Sequence, residues 1–405
     1  MPRVVVTGVG VVSALGPDRD AFWDALCQGR SGIGPIELPE GTPPLRFANA
    51  AQVHGFDPAA HFEHRRGEHL DRFAQFGVVA AREAVADAGV VFEGTLRDRT
   101  AIVTGTCIGG EHAHDRSLAD LYRDGRKSLH PLTVPRVMPN AAASAISLEF
   151  GVRGQTLNIS TACASANHAM GLAFTLVRSG AAPCAITGGA EAALGYGHLK
   201  GWEAIRAVST DTCRPFCADR RGMILGEGSA MFVLEPLEAA EARGAHIYAE
   251  IVGYGASADA HHVTQPSADG AALAIGGALA DAGLAPEQVG YVNAHGTGTP
   301  ANDPMEASAL RAVLGDHLDR VPVSATKSMH GHAIGAAPAL EAAATMLALR
   351  HSVLPPTANF TERDPECELD VIANVARCVE VEYALSNSFA FGGLNAVLAF
   401  RRWDA

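Results

Sequence analysis

The chain is short of charge: only 19% of its 405 residues are Asp, Glu, Lys or Arg, against 48% that are apolar. That balance excludes a disordered or solvating polypeptide and describes a globular, enzyme-sized protein with a large core. Positive charge is scarcer still. With 31 Lys and Arg against 44 Asp and Glu, the net charge is −13, so nucleic acid and anionic membranes are excluded as main partners. An acidic partner has to find a local basic patch. No apolar run reaches the roughly 18 residues of a membrane span. The start, Met1-Pro-Arg-Val-Val-Val-Thr-Gly, lacks the charged region, leucine-rich core and cleavage site of a secretory leader. The expected location is the cytoplasm. The 8 cysteines are irregularly spaced and fit reduced thiols rather than a disulfide framework. Cys213 and Cys217 have a metal-like spacing, but no second Cys/His pair lies near them, and no zinc is expected.

What the chain does have is an internal duplication. Ala81-Arg-Glu-Ala-Val-Ala-Asp-Ala-Gly89 recurs as Gly277-Ala-Leu-Ala-Asp-Ala-Gly283, and Ala101-Ile-Val-Thr-Gly-Thr106 as Gly290-Tyr-Val-Asn-Ala-His295. Leu157 to Cys163 is echoed by Val321 to Lys327, each before an Ala-rich helix, and Cys184 to Gly188 by Tyr383 to Asn387. Two alternating α/β halves, about 1–245 and 246–405, are therefore expected to pack as a pseudo-dimer with the active site between them. Strands such as Val4-Val-Val-Thr-Gly read as buried on both faces. The extra length of the first half, Glu111 to Asn140, reads as a lid, partner surface or dimer contact.

Cys163 stands where an apolar strand, Gln155 to Ser160, turns into a small-residue helix expected from Ala164 to Arg178. A helix N-terminus lowers a thiol pKa and offers free N–H groups to an oxyanion, so a reactive thiolate is expected there. The geometry resembles a strand-to-helix nucleophile elbow without its G-x-S-x-G residues. Three further motifs lie in the second half: His295-Gly-Thr-Gly-Thr-Pro300, Lys327-Ser-Met-His-Gly-His332 and Asn387-Ser-Phe-Ala-Phe-Gly-Gly-Leu-Asn395.

In that order and at those separations, the motifs resemble the elongating β-ketoacyl-acyl carrier protein synthases of the thiolase superfamily, the ketosynthase II-like enzymes of type II fatty acid and polyketide synthesis. The resemblance runs over essentially the whole chain. It implies a thiolase-like α/β fold, with two duplicated halves in a layered αβαβα arrangement. It implies a decarboxylative condensation of an acyl group on Cys163 with malonyl-acyl carrier protein. His295 and His332 would serve the malonyl thioester as neutral imidazoles, while Lys327 and Glu341 would hold the site's network and charge. The N–H groups of Cys163 and Phe391 would form the oxyanion hole, and Thr297 and Thr299 would bind the pantetheine arm. Asn293, Glu341, Ser386 and Asn387 match a monovalent-cation site. Otherwise neither a metal nor a cofactor is implied, the substrates being carried on the phosphopantetheine of acyl carrier protein. A homodimer, or a heterodimer with a homologous chain-length-factor subunit, is implied as well. Arg65, Arg66, Arg126, Lys127 and Arg206 are either a carrier-protein docking patch or solvated charges. Asp303 and Glu306 are given a structural place and no chemistry.

The chain departs from the common fatty-acid pattern at His330, Ala390 and Leu394, where the motifs usually carry Thr, Gly and Thr. Thr133 stands where relatives often place an aromatic residue across the dimer, while Ile108 and Trp202 stay bulky; with Phe389 and Phe391 these form the expected gate and pocket wall. A lining changed around unchanged chemistry points to a specialised, polyene-like polyketide chain, with a general fatty-acid enzyme as the alternative. A coenzyme A thiolase would carry a second reactive cysteine near the C-terminus in place of His332. A non-catalytic chain-length-factor scaffold would have lost Cys163.

Overall fold

The computed structural model describes residues 2–38, 41–63 and 66–404. Eleven strands form one sheet: β1 Val4–Ser13, β2 Ala101–Gly105, β3 Thr156–Ile159, β4 Ala185–Glu191, β5 Gly228–Pro236, β6 Ala249–Ala258, β7 Val289–Asn293, β8 Pro322–Ser324, β9 Asp370–Val371, β10 Tyr383–Ala390 and β11 Leu394–Arg402. The helices that matter for the site are α1 Arg72–Ala88, α2 Glu111–Leu118, α3 Ala141–Phe150, α4 Ser165–Arg178, α5 Tyr196–Ile205, α6 Ala268–Ala282, α7 Asn302–Leu314 and α8 Ala337–His351.

The duplication is written in the strand order. The first half runs β1-β5-β4-β2-β3 and the second β6-β11-β10-β7-β8, with β9 added at its edge. Both halves pair antiparallel, antiparallel, parallel, parallel along that order. They meet where β1 pairs antiparallel with β6, Val4 opposite Ile251. Helices α1 and α3 cover the first-half strands outside, α6 covers the second-half strands with α7 packed against it, and α4 and α8 lie together between them. This is the αβαβα layering that the resemblance implies.

Local sequence explains the layers. Helices α1 and α6 start on Asp71 and Ser267, whose side chains accept first-turn N–H groups, and both end on a left-handed glycine, Gly89 and Gly283. Helix α8 is buried all round from Ala337 to Leu349, as an Ala- and Leu-rich helix without a polar face must be. Its Glu341 is therefore carried into the centre of the molecule. Among the described residues, no helix is long and apolar enough to cross a membrane.

One close contact seats the helix that follows Cys163. A Cβ on Gly105, in β2, would lie 2.5 Å from the backbone of Ser165 and Ala166 at the start of α4. Gly105→Ala is expected to lose about 1–3 kcal/mol of stability by overpacking, read as a lower urea midpoint. An unchanged midpoint would mean that α4 can shift without cost.

Candidate active site

β3 ends at Ile159, and the chain then turns sharply. Ala162 has φ +48, in the left-handed region that a non-glycine residue avoids. A single 3₁₀ turn, Ala162–Ala164, carries Cys163, and α4 begins at Ser165, one residue later than expected. The Ser165 hydroxyl locks this elbow, donating to the Ala162 carbonyl at 2.7 Å and accepting the Thr161 N–H at 2.9 Å. Cys163 is buried.

The expectation of a ready thiolate is corrected. Burial pushes the Cys163 thiol up to about 11, against the pull of the Lys327 charge and of the Phe391 and Cys163 N–H groups. Desolvation wins because the sulfur sits in an apolar cluster with Trp202, Leu199 and Ile334. Alkylation of Cys163 by iodoacetamide, followed by peptide mass, is accordingly expected to keep accelerating to pH 9.5 and beyond. A plateau below pH 8 would show a preformed thiolate.

The second half supplies the polar groups. His295 follows β7, and its backbone N–H and that of Gly296 donate to the two oxygens of Glu306, at 2.8 Å each. Asn387 donates to the same carboxyl at 3.1 Å. Glu306 is thus the anchor that orients the His295 loop, a role that spacing alone did not reveal. His332 is held in a strand-like bridge, its N–H to the Ile224 carbonyl at 2.7 Å and its carbonyl to the Gly226 N–H at 2.9 Å. The two imidazoles meet edge to face, with centroids 5.6 Å apart.

Lys327 ties the group together. Its Nζ donates to the His295 carbonyl at 2.7 Å, stands 3.3 Å from His295 Nδ1, and pairs with Glu341 on α8. An ammonium facing Nδ1 leaves the His295 proton on Nε2, pointing away from the lysine. Burial, and then the Lys327 charge, hold both His295 and His332 well below the usual histidine range, so both are neutral at pH 7. Burial pushes Glu341 up, and Lys327 draws it back.

A cavity of about 60 Å³ opens on Cys163, His295 and His332, with Trp202, Phe389 and Phe391 among its walls. The ring of Phe391 lies 5.9 Å from Trp202, and that of Phe389 lies 6.0 Å from His295. Gly392 and Gly393, at φ +83 and +71, turn the chain between β10 and β11 so that the Phe391 N–H bears on the sulfur. Thr297 and Thr299 line the mouth, their hydroxyls 2.9 Å apart. Residues 262–266 line it too, and no motif singled them out. Ile108 packs in the Cys163 cluster. Thr133 opens a separate short helix, Thr133–Val137, and does not line this chain's cavity.

The candidate docking cations fall on different segments. Arg66 pairs with Glu149 and Arg126 with Asp120, Lys127 is exposed, Arg206 ends α5, and Arg65 lies outside the described residues. The candidate cation ligands are drawn together: Asn293 pairs in register with Ser386 and donates to the Glu341 carbonyl at 3.4 Å. Asn293 Oδ1, Glu341 Oε2, Ser386 Oγ and Asn387 Oδ1 are all buried without a hydrogen-bond partner. Orphaned hard oxygens of that kind fit a hard cation.

Residues 1–240 match the family described as Beta-ketoacyl synthase, N-terminal domain, and residues 248–361 match Beta-ketoacyl synthase, C-terminal domain. The chain is 44% identical over 400 residues to Nodulation protein E of Rhizobium sp. (strain N33), covering 99% of each. It is 39% identical over 410 residues to 3-oxoacyl-[acyl-carrier-protein] synthase 2 of Staphylococcus aureus (strain N315), covering 100% of this chain and 99% of that protein. The solved ishigamide ketosynthase/chain length factor superimposes with a TM-score of 0.94 at 38% identity, over 100% of both chains.

Proposed function

The chain belongs to the β-ketoacyl synthase family and is a condensing enzyme, and from that premise we propose that Cys163 carries the acyl group while His295 and His332 activate malonyl-acyl carrier protein. The observation that carries this reading is the convergence, on one small cavity, of a strained-turn thiol, two neutral imidazoles and two backbone N–H groups.

In the first step the Cys163 sulfur attacks the acyl thioester. The new C–S bond forms, and the pantetheine thiol leaves with the proton. The N–H groups of Cys163 and Phe391 stabilise the tetrahedral oxyanion. Malonyl-acyl carrier protein then enters past Thr297 and Thr299. Its carboxyl leaves as CO₂, and the electron pair stays on the thioester as an enolate. The Nε2–H of His295 donates to that oxygen, and His332 donates beside it. Being neutral, the imidazoles stabilise the enolate without protonating it outright. The carbanion attacks the acyl-cysteine, forming the C–C bond and releasing the Cys163 thiolate, which takes up a proton. The product is a 3-ketoacyl thioester on the carrier protein. A monovalent cation held by Asn293, Glu341, Ser386 and Asn387 would supply fixed charge behind Lys327; no other cofactor enters the scheme.

A polyketide chain, polyene-like, is the finer reading. It is supported by Ala390 and Leu394 in the gate loop, where the common fatty-acid pattern carries Gly and Thr. A general fatty-acid role is the alternative, and a scaffold role is disfavoured by Cys163. Acyl carrier protein is the partner; exposed Lys127 and the other candidate cations lie on separate segments, so its docking face is left to the assay. Pairing with a second copy, or with a homologous chain-length-factor subunit, is supported by the sheet edge at β3 and by exposed Tyr122, Val134 and Leu148 on neighbouring segments. The test is incubation with malonyl-acyl carrier protein and a series of acyl donors, followed by mass. Acyl-enzyme and 3-ketoacyl product support the assignment. No acylation by any donor, with or without a homologous partner, overturns it.

A further inference from the structure

A second polar centre lies behind Trp202. Glu111 opens α2, and His198 lies in the first turn of α5. Glu111 is 6% exposed, and neither of its carboxyl oxygens has a hydrogen-bond partner. His198 Nε2 accepts the Trp202 indole N–H at 2.7 Å. Burial holds His198 down to about 4, so the imidazole is neutral and its one proton is on Nδ1. That Nδ1 faces Glu111 Oε1 at 3.9 Å, too far for a hydrogen bond and close to the separation of two groups sharing one oxygen.

The neighbouring carboxyls are occupied. Asp115 accepts the Gly197 N–H at 2.9 Å, Asp71 accepts the Ala113 N–H at 2.6 Å, and Glu191 accepts from Thr106, Cys107 and Gly335. Glu111 has no comparable side-chain or backbone donor, only the His198 backbone beside it. Burial, then Asp115, Glu191 and Asp71, push it up to about 9, so at pH 7 it is a neutral acid with one donor and one acceptor. Buried water or a ligand normally pairs groups of this kind.

The position ties this centre to the acyl group. Cys163, Ile108, Leu194, Leu199 and Trp202 form one apolar cluster with Phe391. Trp202 lines the cavity at Cys163 and donates to His198, so the Glu111–His198 pair stands directly behind that wall. We propose that Glu111 and His198 form the polar end of the acyl pocket and receive a carbonyl or hydroxyl oxygen borne on the acyl chain, so that the preferred substrate is an oxygenated acyl group rather than a plain alkyl one. This deepens the condensing role of Cys163 and rests on it. A chain oxygen here accepts from His198 Nδ1–H and from the acid O–H of Glu111, whereas an alkyl end leaves both unpaired. Discrimination by a site built around such a lost hydrogen bond is strong.

The test compares two carrier-protein acyl thioesters of equal length, one saturated and one with a carbonyl or hydroxyl toward its distal end. Condensation with malonyl-acyl carrier protein is followed as kcat/KM for wild type, Glu111→Gln and Glu111→Leu. Wild type is expected to favour the oxygenated chain by about tenfold or more. Glu111→Leu is expected to abolish or reverse that preference, and Glu111→Gln, which keeps a donor and an acceptor, to retain most of it. His198→Leu supplies the same comparison should Glu111→Leu fail to fold. A wild-type preference for the alkyl chain, or one ratio shared by wild type and both leucine variants, overturns the proposal and leaves Glu111 hydrogen-bonded to buried water only. Acyl transfer to Cys163 of the wild type separates the two readings: its absence with every donor counts against the condensing role, while condensation without discrimination counts against this inference alone.

Discussion

Cys163→Ala is expected to fold, to accept no acyl group and to make no 3-ketoacyl product, with condensation down by at least about 10⁴-fold. The change removes one sulfur from a buried position without adding bulk, and the elbow is held by Ser165 rather than by the thiol. Folding is therefore expected to survive, as near-wild-type circular dichroism and urea midpoint would show. His295 and His332 are untouched by the change, so malonyl-acyl carrier protein is still expected to lose CO₂ and become acetyl-acyl carrier protein. Intact-protein mass and released CO₂ give the two readouts. Acylation that persists in the variant would move the nucleophile elsewhere, and Cys107 is the first place to look. It lies in the same cluster, although burial and Glu191 push its thiol further up than that of Cys163. Acylation and decarboxylation lost together would instead mean that the thiol helps to position the malonyl group.

Lys327→Ala is expected to have the second largest effect, on stability and rate together. Lys327 and Glu341 are both 0% exposed and paired, and breaking a buried pair by removing one partner costs about 3–5 kcal/mol. The remaining carboxyl escapes part of that cost by taking up a proton. The direction with pH follows. With the lysine gone, nothing offsets burial, and the folded-state pKa of Glu341 rises further above its unfolded value. The folded variant then binds a proton that the unfolded chain lacks, so stability falls as pH rises. Once the wild-type carboxyl has ionised, the deficit is expected to widen by up to about 1.4 kcal/mol per pH unit, which urea midpoints at pH 7 and 9 would show. A deficit independent of pH would mean that Glu341 stays ionised without its partner. The rate effect comes through His295. Without the ammonium at Nδ1 the imidazole is free to take the other tautomer, and decarboxylation is expected to fall about 100-fold or more. Equal rates in variant and wild type would make Lys327 structural only.

Much of this site was legible before any coordinates. Local pattern carries local geometry: a strand meeting a small-residue helix at Cys163, glycines flanking His295, and the Phe391-Gly-Gly turn are all written within a few residues. The repeat of Ala81–Gly89 in Gly277–Gly283 prefigured α1 and α6 as equivalent layers, and the matching strand order of the two halves followed from the other echoes. Glu306 was not legible as the anchor of the His295 loop, because the preference of a carboxylate for two N–H groups shows only when the loop folds back onto α7.

The sequence by itself pointed to a duplicated α/β architecture, to Cys163, His295 and His332 as the reacting groups, and to scarce positive charge as an argument against nucleic acid; each depends on residue type, order or short-range spacing. Only the tertiary structure decided how those groups behave. The direction of the Cys163 pKa, the neutrality of His295 and His332, and the orphaned carboxyl of Glu111 all come from desolvation by segments up to hundreds of residues apart. Burial is a property of the packed molecule, and a thiol at a helix start is lowered or raised according to how much water the rest of the fold leaves beside it.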